Sequence, residues 1–137
     1  MSNTFLLEIV TPQRRLLSKE VDEVTAPGQA GQFGVLAGHT PFLTVLKPGE
    51  IIYKSGTDTA LLAINRGYAE VLPEKTTILV DAATEEHEID LDGVRAEARE
   101  AEEALKTLHQ DDSALPKAQD RLDYALAKLR VKEGLKD

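Results

Sequence analysis

Paired carboxylates, three histidines and one glycine-rich run are the groups in this chain that could do chemistry. Glu85-Glu86 and Glu102-Glu103 set carboxyls side by side. General acid–base work needs two such groups in environments that push their pKa values apart. Both pairs lie in a charged, helix-favouring stretch, where they read as solvated surface. His39, His87 and His109 are scattered, without the HExxH or HxH spacing that puts two imidazoles on one zinc ion. The run Gly28-Gln29-Ala30-Gly31-Gln32-Phe33-Gly34 has glycines enough to approach a phosphate. It lacks both the lysine of a P-loop and the GxG of a dinucleotide fold. There is no GxSxG elbow, and no cysteine to serve as nucleophile, metal ligand or disulfide partner. The expectation is a chain without a catalytic site and without a metal.

The elements that hold these residues divide the chain. Its 137 residues carry a net charge of −8, with 42% hydrophobic and 29% charged residues, ordinary for a globular protein. Such a charge is a poor match to a phosphate backbone, so nucleic acid is excluded as a partner. No apolar run approaches the roughly 20 residues of a membrane span, so direct membrane insertion is excluded too. MSNTFLLEIVTP lacks the basic start of a signal peptide. The expectation is a cytosolic-type chain, and a start at Met1 without a transit segment favours a bacterial source. Residues 1–83 hold five of the six aromatics, seven of nine glycines and five of six prolines, with 7 basic and 9 acidic residues. Residues 84–137 carry 9 basic and 15 acidic residues, a net of −6, and are rich in Ala, Leu and Glu. β-Branched and aromatic residues punctuated by Gly and Pro favour a sheet, whereas Ala, Leu, Glu and Lys favour helices.

Nine short strands are expected in the first part, near 5–10, 14–18, 21–26, 34–36, 42–46, 51–55, 60–65, 67–72 and 76–81. That spacing points to an antiparallel β-sandwich or flattened barrel with an aliphatic core. In the second part Leu91, Val94, Ala98, Ala101, Leu105 and Leu108 recur at 3-4-3-4-3. Leu115, Ala118, Leu122, Ala125 and Leu129 repeat the pattern. These are two a/d seams, on helices near 90–108 and 113–132, joined by a polar loop in which Asp112 or Ser113 could cap the second helix. The expectation is a C-terminal antiparallel α-helical hairpin. Four of its eleven seam residues are Ala and bury little area, so the hairpin must lean on the β domain or on another protein.

Two separated stretches then resemble a known family. The run from Pro27 to Gly49, with the spacing G-x-x-G-x-x-G-V-L-x-G-H-x-P-F-L-T-x-L-K-P-G, closely resembles the epsilon subunit of F-type ATP synthases. The resemblance continues through Arg66-Gly67-Tyr68-Ala69-Glu70-Val71, Leu79-Val80-Asp81, Leu91-Asp92-Gly93-Val94-Arg95-Ala96 and Leu129-Arg130-Val131. It implies a non-catalytic rotor part, peripheral on the cytoplasmic side of a bacterial cell membrane. Its sandwich would sit against the gamma subunit and the c ring. Its hairpin would fold on the sandwich or extend toward the alpha/beta catalytic head and block hydrolysis. The residues implied for the c ring and gamma are Gly31, Gln32, Phe33, Gly34 and His39. For His39, a structural hydrogen bond is the plain alternative. Arg121, Lys128 and Arg130, with Lys132, would give the second helix a basic inhibitory edge.

The resemblance also raises nucleotide. Some bacterial members bind ATP through an [IL]-D-x-x-R-A motif, matched here by Leu91, Asp92, Arg95 and Ala96, with Glu86 at the spacing of an upstream acidic contact. Asp92 and Arg95 share a helix face; without ligand they make an acidic helix start and an ion pair. Further arginines of the family's ATP binders correspond here to Glu102, Tyr124 and Lys128, and a triphosphate wants guanidinium forks. The expectation is that no cofactor is required and that ATP binds weakly at best, as a regulator. Two readings outside the family are a stand-alone β-sandwich adaptor with a helical tail, and a hydrolase using its carboxylates.

Overall fold

The computed structural model describes residues 3–134. Ten strands come first: β1 (Phe5–Val10), β2 (Arg15–Val21), β3 (Glu23–Gly28), β4 (Gly31–Leu36), β5 (Phe42–Leu46), β6 (Gly49–Ser55), β7 (Asp58–Ile64), β8 (Gly67–Leu72), β9 (Lys75–Val80) and β10 (Ala83–Glu85). A single 3-10 turn, Glu86–Glu88, leads to helices α1 (Leu91–Thr107) and α2 (Leu115–Glu133). The strands form one sheet in the order β10-β7-β6-β3-β5-β8-β9-β1-β2, with β4 paired to β3. Between β3 and β5 only Gly28 and Leu46 pair. There the sheet folds over into two layers, a sandwich that is nearly a closed barrel.

Strict alternation fills the space between the layers. Phe5, Leu7 and Ile9 of β1 point inward, as do Ile51 and Tyr53 of β6, Ala69 and Val71 of β8, and Ile78 and Val80 of β9. The core is aliphatic apart from Phe5 and Tyr53, as the few aromatics require. Strand β7 breaks the alternation, because Leu62, Ala63 and Ile64 are all buried. Ala63 points to the outer side, into a second cluster with Ile89, Val94, Ala98, Ala125, Ala127 and Val131. A strand covered on both faces reads as a continuous apolar run, and Ala60-Leu61-Leu62-Ala63-Ile64 is one.

Three expectations are corrected. The sheet is not wholly antiparallel: β1 runs parallel to β9. No short turn joins two strands so far apart in sequence, so nothing imposes the antiparallel sense between them. The strand expected near 34–36 begins earlier, at Gly31. β3 and β4 pair from Glu23↔Leu36 to Gly28↔Gly31, leaving only Gln29 and Ala30 at the turn. Gly31, at φ +143°, lets the chain reverse that tightly. The second helix starts at Leu115 rather than 113. The Asp112 carboxylate accepts the Ala114 N–H at 2.8 Å, and Pro116 occupies the first turn, where a missing N–H costs nothing. The sheet itself continues past Ala83, since β10 pairs with β7 through Ala83↔Ile64 and Glu85↔Leu62.

One core position is chemically mismatched. Thr76 is 1% exposed and its hydroxyl has no hydrogen-bond partner. Burying an unpaired hydroxyl costs free energy that an isosteric methyl would not. Thr76→Val is expected to stabilise the fold by about 1 kcal/mol, read as a higher urea midpoint at unchanged slope.

Candidate functional site

The surface of the sandwich is treated differently on its two sides. Over β6, β7 and β10 lies the hairpin. Over β5, β8, β9 and β1 the described residues place no helix, and the outward positions there form an apolar row beside a mixed one in which Leu43 adjoins Glu70, Thr77 and Glu8. Val45 pairs with Tyr68, Tyr68 with Leu79 and Leu79 with Val10, so these four side chains form a ladder across four strands. Tyr68 is 56% and Leu79 49% exposed, and Leu43 at the next outward position of β5 is 71% exposed. A groove of about 430 Å³ runs along this ladder, lined by Val10, Pro12, Tyr68 and Leu79 among others. Solvated sheet faces ordinarily carry polar residues, and an apolar stripe of this kind marks an interaction surface.

The ladder adjoins a segment of the chain without charge. No Asp, Glu, Lys or Arg stands between Glu23 and Lys47, a segment that supplies the β3–β4 hairpin and β5. Leu36 there is 60% exposed. Phe33 packs edge-on to Phe42 at 5.2 Å between ring centroids, and the tilted His39 ring lies 5.2 Å from Phe42 as well. The His39 Nδ1 is 2.7 Å from the Thr40 carbonyl oxygen. Phe33 and His39 are thus brought into one half-buried aromatic cluster, while Gly31, Gln32 and Gly34 are exposed along the neighbouring edge strand. The charge gap was legible in the sequence. The ladder was not, because its members come from strands up to 69 residues apart whose register only the fold sets.

The beta-sandwich domain model of the ATP synthase delta/epsilon chain matches residues 4–86. The ATP synthase epsilon chain of Geotalea daltonii is 44% identical over 131 residues, which cover 96% of this chain and 95% of that one. The chain belongs to the ATP synthase epsilon family. Its relative from Syntrophobacter fumaroxidans is 47% identical over 133 residues, with 97% and 98% covered. In fold, it is similar at a TM-score of 0.80 to a chain in the Euglena gracilis mitochondrial ATP synthase, 21% identical, with 98% of this chain and 84% of that chain covered. A chain in the central stalk and c ring of the Tetrahymena thermophila enzyme gives a TM-score of 0.63 at 16% identity, with 96% of each covered. At those identities the likeness speaks for the fold.

The remaining residues singled out from the sequence lie on the helical side. In this epsilon-family chain the Asp92 side chain is 95% exposed, with Arg95 at 3.7 Å. Arg95 also lies 3.9 Å from Glu133 of α2. Glu86, in the 3-10 turn, points to solvent, and Ala96 is half-buried. None of these four lines the nearby cavity of about 390 Å³, which is bounded by Thr84, Glu88, Ile89, Asp90, Gly93, Val94, Glu97 and Lys128. That cavity sets one cation against three carboxylates, the wrong balance for a triphosphate. Glu102 is exposed on α1, and Tyr124 and Lys128 are engaged elsewhere. The Lys128 ammonium donates to Glu97 at 3.0 Å and sits 4.5 Å above the Tyr124 ring. Burial raises the Tyr124 phenol above its ordinary pKa, opposed by its hydrogen bond with Thr84.

Half of the basic edge of α2, Lys128 and Arg130, is therefore in use. Arg130 grips Glu50 of β6 with both nitrogens, Nη2 donating to Oε2 at 3.1 Å. Arg121 is exposed and makes no ion pair among the described residues. The linker is pinned as well. Glu88 accepts the Glu85 N–H at 3.0 Å and the Arg14 guanidinium at 2.7 Å. That backbone N–H first, and then Arg14, hold its carboxyl below the usual range. A carboxylate depressed on folding contributes stability above its unfolded pKa and loses it as pH falls through the folded value.

Proposed function

We propose that this epsilon-family chain is a non-catalytic rotor subunit of the ATP synthase central stalk. Its sandwich joins the gamma subunit to the c ring in proton-driven ATP synthesis, and its hairpin restrains ATP hydrolysis at the alpha/beta head. It acts as a peripheral protein on the cytoplasmic face of the bacterial cell membrane. The observation that carries this reading is the unequal cover of the sandwich. One face is occupied by the chain's own hairpin. The other presents the Val45–Tyr68–Leu79–Val10 ladder, continuous with a segment that carries no charged residue for 23 positions. The ladder suits gamma, a folded protein surface. The exposed edge Gly31, Gln32 and Gly34, with the Phe33–His39 cluster, suits the polar loops of the ring. No helix among the described residues is long and apolar enough to cross a membrane, which agrees with a peripheral part. ATP acts at most as a weak regulator at Asp92 and Arg95, because carboxylates outnumber cations around the helix start.

The test is reconstitution with gamma and the catalytic subunits. Leu43→Asp with Tyr68→Asp is expected to weaken binding to gamma by at least about tenfold, since an unpaired charge at an apolar contact costs more than about 1.4 kcal/mol. Arg121→Ala is expected to leave binding intact and raise ATP hydrolysis severalfold. Undiminished binding of the double variant would overturn the assignment of that face, and unchanged hydrolysis would remove the charge from the brake.

A further inference from the structure

The hairpin is docked by little apolar area. The side of α2 that faces the sandwich is Asp120, Tyr124, Ala127 and Val131, spaced 4-3-4, a second stripe beside the seam that faces α1. Only Ala127 and Val131 on it are fully buried apolar residues, and they meet Leu61 and Ala63 of β7 with Ile89 of the linker. At the two ends of the stripe stand guanidinium–carboxylate forks. Arg66 donates to Asp120 through Nε at 2.8 Å and through an Nη2 at 3.2 Å, and Arg130 holds Glu50 in the same manner. The carboxylates are the shielded partners, with side chains 18% and 17% exposed against 45% and 50% for the two arginines.

The polarity of the two forks is crossed. At the Asp120 end the sandwich supplies the cation and the helix the anion; at the Arg130 end the roles reverse. A helix laid down in the opposite direction would bring Asp120 to Glu50 and Arg130 to Arg66, two like-charge contacts. A helix shifted by one turn, about 5.4 Å, would lose both forks at once. Bidentate forks are also specific in geometry as well as strength. Crossed charges thus provide what the small apolar stripe cannot, a single direction and register.

We propose that the Arg66–Asp120 and Arg130–Glu50 forks form an electrostatic latch that sets the docked pose of the hairpin and its population against the released one. Salt, which screens both forks, opens it. Only the consequence of opening, inhibition of hydrolysis, rests on the functional reading above.

The absence of cysteine allows spin labels at Glu74→Cys on the sandwich and Lys117→Cys on α2 in the full chain. Pulsed electron resonance then counts docked and released molecules. Asp120→Asn and Glu50→Gln are each expected to raise the released-to-docked ratio about three- to fivefold at low salt. Arg66→Asp combined with Asp120→Arg returns it toward the starting value. About 1 M salt, where the screening length is about 3 Å, raises the ratio in the unmodified chain and adds little once both carboxylates are neutral. Glu103→Gln, which removes the exposed Lys106–Glu103 pair, leaves the ratio unchanged. Ratios unmoved by Asp120→Asn and Glu50→Gln, or moved equally by Glu103→Gln, overturn the latch. If the ratios move as stated while the same variants leave hydrolysis by the reconstituted complex unaltered, the latch stands and the inhibitory reading of the hairpin falls.

Discussion

Gly67→Ala is expected to destabilise the fold by about 3 kcal/mol, the upper part of the overpacking range. A Cβ at Gly67 would lie 2.0 Å from the Leu79 carbonyl oxygen and 2.6 Å from the Val80 Cα. Both are backbone atoms of the paired strand β9, so no rotamer change relieves the contact. The only relief is to part β8 from β9, and that breaks the ladder between Gly67↔Val80 and Tyr68↔Leu79 directly beneath the apolar groove. The measurement is the urea unfolding midpoint of the full chain. Gly34→Ala is the control: a Cβ there meets nothing within 4 Å, and stability is expected to hold or rise by a few tenths of a kcal/mol. Equal losses in the two variants would mean that lost backbone freedom, rather than the strand contact, is what each glycine provides.

Ala127→Glu carries the largest expected effect on the hairpin. Ala127 is 0% exposed, its methyl lies in the apolar cluster with Ala63, Ile89 and Val131, and the nearest cation on its helix face, Arg130, is already held by Glu50. A buried, unpaired charge costs about 3–5 kcal/mol, which corresponds to a hundredfold or greater shift toward release. The sandwich should survive, because its core cluster contains no helical residue. Freed from its dock, the hairpin keeps only an Ala-rich seam between two helices of 17 and 19 residues, and short helices in water are marginal. Amide exchange is therefore expected to become fast throughout α1 and α2 while β1, β8 and β9 stay protected. In a reconstituted complex the same variant is expected to lower ATP hydrolysis, since the brake is released toward its target. Loss of protection in the strands would show that the two domains fold as one unit.

Much of this molecule was legible before its fold. The a/d spacing of Val94, Ala98 and Ala101 against Ala118 and Ala125 located the hairpin seam, and those five positions are buried. Gly, Pro and Asp clusters located the reversals between strands, because turn chemistry is local. The strand expected near 34–36 was cut short for the same reason: glycines signal a turn, and only pairing partners show that all but two of residues 28–34 lie in strands. The docking stripe went unseen because Asp120 and Tyr124 interrupt its apolar pattern. Polar residues look like solvent-facing residues until their partners are known.

The sequence by itself determined the division into an aliphatic β domain and a thin-seamed helical hairpin, and the family. Both rest on composition, short-range periodicity and contiguous motifs. Tertiary structure alone decided the parallel pairing of β1 with β9, the apolar ladder on the uncovered face, and which side of α2 lies on the sandwich. It also decided that Arg130 and Lys128 are bound up in the docked state. The physical reason is distance along the chain. Arg66 and Asp120 stand 54 residues apart, and Glu50 and Arg130 stand 80 apart. No local pattern couples charges so far separated; they become partners only when burial of Ala63 against Ala127 and Val131 brings the helix onto the sheet.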